Sequence, residues 1–181
     1  MPARFGGFSP RSTTVASSRG PHAVVWRIAR RPHALDRVGL GARQHGGRWN
    51  SAGIGVICAG RSIGIAALER FVHLAGVVPP DLGLVRIGMP ARHSFEEPAL
   101  ADLPSDWNAV PAAPSSMQFG TRWARELRSL VLYVPSALVQ EEGNALLNPN
   151  HPEFAQVAMT IERDFHYDPR MLEMRLAARR V

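Results

Sequence analysis

The chain's 181 residues, 45% of them hydrophobic, suffice for one domain with a substantial core and fall short of two. A single cysteine, Cys58, excludes an internal disulfide framework, and no apolar run approaches the roughly 18 residues of a membrane-spanning helix, so a soluble, cytoplasmic protein is expected. All 21 basic residues are arginine; nine of them fall within residues 1–48 beside one acid, Asp36, whereas residues 49–181 set twelve arginines against fourteen acids, an asymmetry that suits a phosphate-bearing partner such as a nucleotide or a nucleic acid.

Residues 1–22 (MPARFGGFSPRSTTVASSRGPH) are rich in Gly, Pro, Ser, Thr and Arg and lack apolar periodicity, which predicts a flexible basic arm ahead of a domain over 23–181. AVVWRI (23–28) is a β-branched run and predicts the first strand; GIGVICAG (53–60) predicts a second, apolar enough to be central. Between them GGRWNSAG (46–53) predicts a tight turn, with Gly46 and Gly47 supplying backbone freedom around Arg48 and Trp49. Ser62 is a fitting N-cap for a helix on which Ile65, Leu68, Val72 and Ala75 recur at helical spacing, with Gly76 as its stop.

LGLVRIGM (82–89) predicts another strand, followed by a proline-containing loop from Pro90 to Pro114 that would form a rim. The spacing of Phe119, Trp123 and Leu127 predicts a helix over 115–129, and LVLYVPSALV (130–139) a strand broken at Pro135, with Ser136 at the break. NALLNPNHPEF (144–154) and QVAMTIERDFHYDPRML (156–172) supply two more short strands around a turn. Strands so irregularly spaced argue for a single compact α+β domain with mixed short strands and a few helices, and against a doubly wound parallel sheet.

Several chemistries lack their residues. Glu69 and His73 stand at i, i+4, but there is no HExxH, no CxxC and no third ligand, so no metal is expected. Ser136 lies in VPSAL and not in the GxSxG of a serine hydrolase. GLGARQHG and GIGVICAG each contain GxG without the third glycine or the helix of a dinucleotide fingerprint. What remains is four polar residues set in apolar elements: Arg27, Arg48, Glu69 and Ser136. Singly, each is compatible with a structural role, Arg27 facing solvent by alternation and Glu69 sharing a polar helix face with Arg70. Jointly, two planar guanidinium forks, a carboxylate and a hydroxyl can hold a pyrophosphate and stabilise a nearby cation.

The ordered segments WRI, GARQHGGRWNSAG, ALERFVHL, VPSALV, NALLNPNHPEF and DPRML resemble the RES domain family over residues 24–172. The resemblance implies a fold like that of the ADP-ribosyltransferase toxins and a toxin of a bacterial toxin–antitoxin pair. It implies NAD as the substrate, with cleavage of the nicotinamide–ribose bond and passage of ADP-ribose to a protein, to water or to phosphate. Carried over, the family's arginines fall on Arg27 and Arg48, its glutamate on Glu69 and its serine on Ser136. Glu69, Arg48 and Ser136 would then be catalytic, and Arg27, Arg48, Trp49, Cys58 and Ser136 would line the NAD site. Cys58 stands where the family usually has a tyrosine, leaving Trp49 or Tyr133 to stack on nicotinamide. The implied partner is a cognate antitoxin of helix-turn-helix type in a hetero-oligomer, with DNA contacted only through it and no membrane involved.

The chemistry fits that implication. Loss of nicotinamide passes through an oxocarbenium-like state, and one fixed carboxylate beside the sugar stabilises it. Nicotinamide leaves readily, so no paired general acid is needed. From the residues alone a second reading stays open: a basic nucleic-acid-binding module over residues 1–48 acting in autoregulation. It lacks a convincing helix-turn-helix, and Arg27 and Arg48 fall in or beside predicted strands.

Overall fold

The computed structural model describes residues 23–74 and 77–171. The predicted arm over 1–22, and Ala75 and Gly76 at the predicted end of the helix, lie outside the described residues. Among these residues seven strands form one mixed sheet: β1 (Val24–Arg30), β2 (Ile57–Gly60), β3 (Leu82–Gly88), β4 (Phe95–Glu96), β5 (Val131–Pro135), β6 (Gly143–Leu147) and β7 (Ala158–Asp164). Their order is β4-β5-β6-β2-β1-β3-β7, antiparallel throughout except for the parallel β4–β5 edge. The expected α+β class holds.

One seam divides this sheet. β1 pairs with β3 along its whole length, from Val24↔Gly88 to Arg30↔Leu82, but meets β2 only at Trp26↔Gly60. The strands β4-β5-β6-β2 and β1-β3-β7 are therefore two halves joined at a point, and they part on the far side of Trp26. Val25, Ala29, Val85 and Ile87 from one half pack with Ile57, Ala59, Val131, Tyr133, Ala145 and Leu147 from the other in the main core. On the opposite face, Leu132, Val134 and Leu146 pack with Trp49, Trp107 and Trp123, while Ile28, Leu82 and Leu84 pack beneath a helix and Tyr167.

That helix is α2 (Ile63–Val72), capped by Ser62, whose hydroxyl accepts the backbone N–H of Ile65. It crosses the sheet at Gly60, where a Cβ would lie 2.5 Å from Ile65 Cγ2 and 2.6 Å from the Ala66 nitrogen. This approach corrects the expected apolar stripe. Ile65 and Ala66 are buried and Ile63, Ala67 and Phe71 pack inward, but Leu68 and Val72 are 38% and 46% exposed. The helix sits on its small residues, and the larger aliphatics that dominate the pattern face out.

Two other expectations shift. Residues 53–56 are not strand, since the backbone of Val38 passes close to Gly55, and β2 begins at Ile57. GLGARQHG contains a short helix, α1 (Leu40–His45), entered through Gly39 at φ 65° and left through Gly46 at φ 72°. In the turn that follows, Gly46 takes a positive φ and Gly47 does not. The helix α3 (Pro114–Arg125) buries Trp123 and packs Gly120 against the Trp49 carbonyl, where a Cβ would stand 2.0 Å away. Leu127 lies past its end, 42% exposed, with φ 50°. The stretch from Pro90 to Pro114 is mostly irregular, as expected, with only β4 and a 3-10 turn at Leu100–Asp102.

Candidate active site

The helical row Ile65–Glu69 starts at the Gly60 contact and continues one turn beyond it, so Glu69 is carried over the place where β1 and β2 separate. There its Oε1 accepts two hydrogen bonds, from Ser136 Oγ at 2.8 Å and from Asn144 Nδ2 at 2.5 Å. Ser136 is fully buried where β5 ends, and its own oxygen accepts the backbone N–H groups of Leu138 (3.1 Å) and Val139 (3.4 Å). With two donors behind it, the hydroxyl has one direction in which to send its proton, and that direction is Glu69. Asn144 arrives by register: it pairs with Gly60 on β2 and with Val134 on β5, on the face that α2 covers. Both bonds fall on one oxygen, and among the described residues Oε2 accepts none. The carboxylate is thereby fixed in orientation with one oxygen unclaimed.

Arg27 follows Trp26 on β1, one residue past the shared pair. Its Nη1 is buried without a hydrogen-bond partner. Burial lowers the Arg27 pKa; Cys58 and Asp36 oppose this, and the Arg70 guanidinium adds to it. Asp36 does not pair with the arginine, because its two oxygens take the backbone N–H groups of Val38 (2.9 Å) and Leu40 (2.7 Å) at the start of α1. A buried guanidinium nitrogen with no acceptor is costly unless something outside the fold supplies one. An anionic ligand would do so.

Cys58 lies between these groups. Its side chain keeps open surface, yet the protein around it pushes the thiol pKa up; Arg27 opposes and Glu69 adds to that rise. The raised pKa makes Cys58 a thiol at neutral pH and a poor nucleophile.

The remaining predicted residues make contacts of their own. Arg48 Nη1 donates to the carbonyls of Trp107 and Ala109, both at 2.8 Å, and so ties the long loop to the glycine turn. No hydrogen bond or ion pair joins it to Glu69, Ser136 or Arg27 among the described residues. Trp49 is buried, stacked on Trp107 at 6.5 Å and edge-on to Phe119 at 6.2 Å. Tyr133 faces the main core with the Arg61 guanidinium 4.3 Å above its ring. The site thus brings together Glu69, Ser136, Arg27 and Cys58, and adds two residues that sequence reasoning missed, Asn144 and Arg70. Only strand register could have revealed Asn144, and the sequence marks Arg70 only as a neighbour of Glu69 on a polar helix face.

A family model described as the RES domain matches residues 24–168. The chain belongs to the RES domain family. Its RES relatives include the Prs ADP-ribosylating toxin of Sphingobium sp. (strain YBL2), 41% identical over 153 residues that cover 81% of this chain and 95% of that protein. Another is Toxin Res of Photorhabdus laumondii subsp. laumondii, 34% identical over 153 residues, covering 83% and 97%. Among solved structures, a chain of the M. tuberculosis MbcT–MbcA toxin–antitoxin complex superposes with a TM-score of 0.60 at 16% identity, covering 83% of this chain and 87% of that one. That likeness establishes the shared fold. Among the described residues no helix is long and apolar enough to cross a membrane, and no group of three or more His, Cys, Asp or Glu could hold a metal ion.

Proposed function

We propose that this RES chain is the toxin of a bacterial toxin–antitoxin pair and that it cleaves the nicotinamide–ribose bond of NAD. The observation that carries the proposal is the placing of Glu69, whose Oε2 accepts no hydrogen bond among the described residues, and of Arg27, whose buried Nη1 has no partner among them, on either side of Cys58. The name of the 41% identical relative, an ADP-ribosylating toxin, points the same way.

In this reading Arg27 holds the pyrophosphate, because a guanidinium fork matches phosphate oxygens and gains from a partner it now lacks. Glu69 Oε2 faces the ribose, where positive charge develops as nicotinamide departs. Ser136 and Asn144 hold the carboxylate in place through Oε1, so little reorganisation is required as the charge appears. Arg48 fastens the loop at 107–109 with Nη1, and its other nitrogens are those available to a phosphate. Cys58, small and protonated, leaves open the floor where a tyrosine would otherwise stack.

ADP-ribose then passes to water, phosphate or a protein acceptor. The partner would be a helix-turn-helix antitoxin that covers the site, with DNA contact made through it. Purified protein incubated with NAD should release nicotinamide. The same assay with and without phosphate, and with labelled NAD in lysate, identifies the acceptor. Expression alone should lower cellular NAD and arrest growth, and co-expression with the neighbouring gene should restore both. Absence of nicotinamide release from folded protein, together with steeply salt-dependent binding to operator DNA, would favour a nucleic-acid module instead.

A further inference from the structure

Three arginines among the described residues have a buried nitrogen without a hydrogen-bond partner: Arg27 at Nη1, Arg61 at Nε and Arg70 at Nε. Arg61 is otherwise provided for, with Glu97 Oε1 at 2.5 Å from its Nη2 and the Tyr133 ring beneath it. Arg27 and Arg70 have no such carboxylate. Among the described residues neither takes part in an ion pair, whereas Arg30, Arg31, Arg61, Arg128 and Arg170 all do.

Arg70 reaches this position by the same construction that places Glu69. Ile65 and Ala66 are the two α2 residues pressed onto Gly60, and Glu69 and Arg70 are their i+4 successors. Glu69 turns toward β5 and β6, where Ser136 and Asn144 receive it. Arg70 lies on the β1 side of the helix, which packs on Trp26 and Ile28 and is latched by Tyr167, whose hydroxyl donates to the Ala67 carbonyl at 2.7 Å. The Arg70 charge acts on Arg27, lowering its pKa, and on the Tyr167 hydroxyl, and so lies near both. The two cations lie near enough to repel, and among the described residues each has incomplete hydrogen bonding, an arrangement that a shared dianion would relieve.

We infer that Arg70 and Arg27 form a two-arginine site for a phosphate-bearing ligand, with Arg70 the further binding residue. The ligand is the diphosphate of the dinucleotide or free inorganic phosphate serving as acceptor. The inference rests on the proposed NAD chemistry for the ligand's identity, though not for its charge.

The test uses the full chain with Arg70→Leu, which keeps the apolar stem, and Arg70→Lys, which keeps the charge without the fork. Binding of ADP-ribose, nicotinamide riboside and inorganic pyrophosphate is measured by calorimetry, and the phosphate dependence of nicotinamide release by initial rates. Melting temperatures show that each variant is folded. A diphosphate ligand predicts that Arg70→Leu weakens ADP-ribose and pyrophosphate about tenfold or more, leaves nicotinamide riboside unchanged, and that Arg70→Lys falls between. A free-phosphate ligand predicts unchanged ADP-ribose affinity with a raised KM for phosphate. Either result supports the site. Equal weakening of nicotinamide riboside and ADP-ribose, or no change in any of these quantities in a folded variant, overturns it. If the wild type binds pyrophosphate through Arg70 but neither ADP-ribose nor NAD, the NAD reading falls and the two-arginine site stands.

Discussion

On one side of the opening between β1 and β2, Glu69 is held by Ser136 and Asn144, and Ser136 is held in turn by the backbone of residues 138 and 139. On the other side, Arg27 and Arg70 each keep a buried nitrogen with no partner among the described residues. The acidic wall is complete without a ligand, and the basic wall is not. The difference follows from what each wall is asked to do. A carboxylate that stabilises a transient cation must already be in position when the charge appears, so the fold supplies its hydrogen bonds. A guanidinium that grips a stable anion is completed by the ligand itself, and filling its valences internally would compete with binding.

The sharpest way to break this comparison is Glu69→Gln. The amide oxygen can accept the same bonds from Ser136 and Asn144, so the wall should keep its shape and lose only its charge. Nicotinamide release is expected to fall by orders of magnitude, equivalent to about 3 kcal/mol or more, with an unchanged melting temperature. Near-normal turnover in a folded variant would remove Glu69 from the chemistry.

Ser136→Ala sharpens the acidic wall from behind. It deletes a bond to a carboxylate and leaves two backbone donors, those of Leu138 and Val139, without their acceptor. Turnover should drop about ten- to a hundredfold, with some loss of stability. Asn144→Ala should show a similar fall in turnover with a smaller change in melting temperature, since among the described residues its side-chain amide makes one hydrogen bond, to Glu69. If either variant changes NAD affinity and leaves turnover alone, the orienting role is wrong.

Much of this wall was legible in the sequence, and the reasons for the gaps are local. β1, β3 and β5 announce themselves by β-branched runs, and α2 by its N-cap, so Arg27, Ser136 and Glu69 could be assigned to elements. The inward face of α2 could not be read. Hydrophobic periodicity weights Leu68 and Val72 above Ala66 and Ala67, but close contact at Gly60 selects the small residues. That shift of about one helical position is why the apolar pattern does not show which side of α2 Arg70 takes. Asn144 was invisible for a different reason: it opens the NALLNPNHPEF segment, but only the pairing of β6 with β2 brings it within reach of Glu69. Trp49, which the family resemblance sets in the NAD site, is buried against Trp107 and Phe119, packing that no periodicity in the turn announces.

Arg48 tests whether a third arginine belongs with the incomplete wall. Unlike Arg27 and Arg70 it has acceptors for Nη1, the Trp107 and Ala109 carbonyls. Arg48→Lys preserves charge and loses the fork, so melting should fall by about 2–4 °C for each kcal/mol of anchoring lost. A parallel loss of NAD affinity by calorimetry assigns the remaining nitrogens to the ligand. Lower melting with unchanged affinity assigns Arg48 wholly to the loop.

The smallest effect concerns the latch behind the basic wall. The chain has two tyrosines, and burial raises both, Tyr133 and Tyr167, from 10.0 to about 12. In each case the folded state retains a proton that the unfolded chain releases near its ordinary value. Between pH about 10 and 12 the native state therefore binds more protons than the unfolded one, and stability falls as pH rises. The contribution is fully present below about pH 10 and lost by about pH 12. Tyr167 carries the hydrogen bond that ties its segment to α2 through the Ala67 carbonyl, so Tyr167→Phe should remove that bond together with half of the alkaline dependence. Absorbance titration of tyrosinate in wild type and variant, run beside melting curves from pH 8 to 12, checks both. If Tyr167→Phe leaves melting unchanged but weakens ADP-ribose, the tyrosine acts on the ligand through Arg70 and not as a latch for the helix.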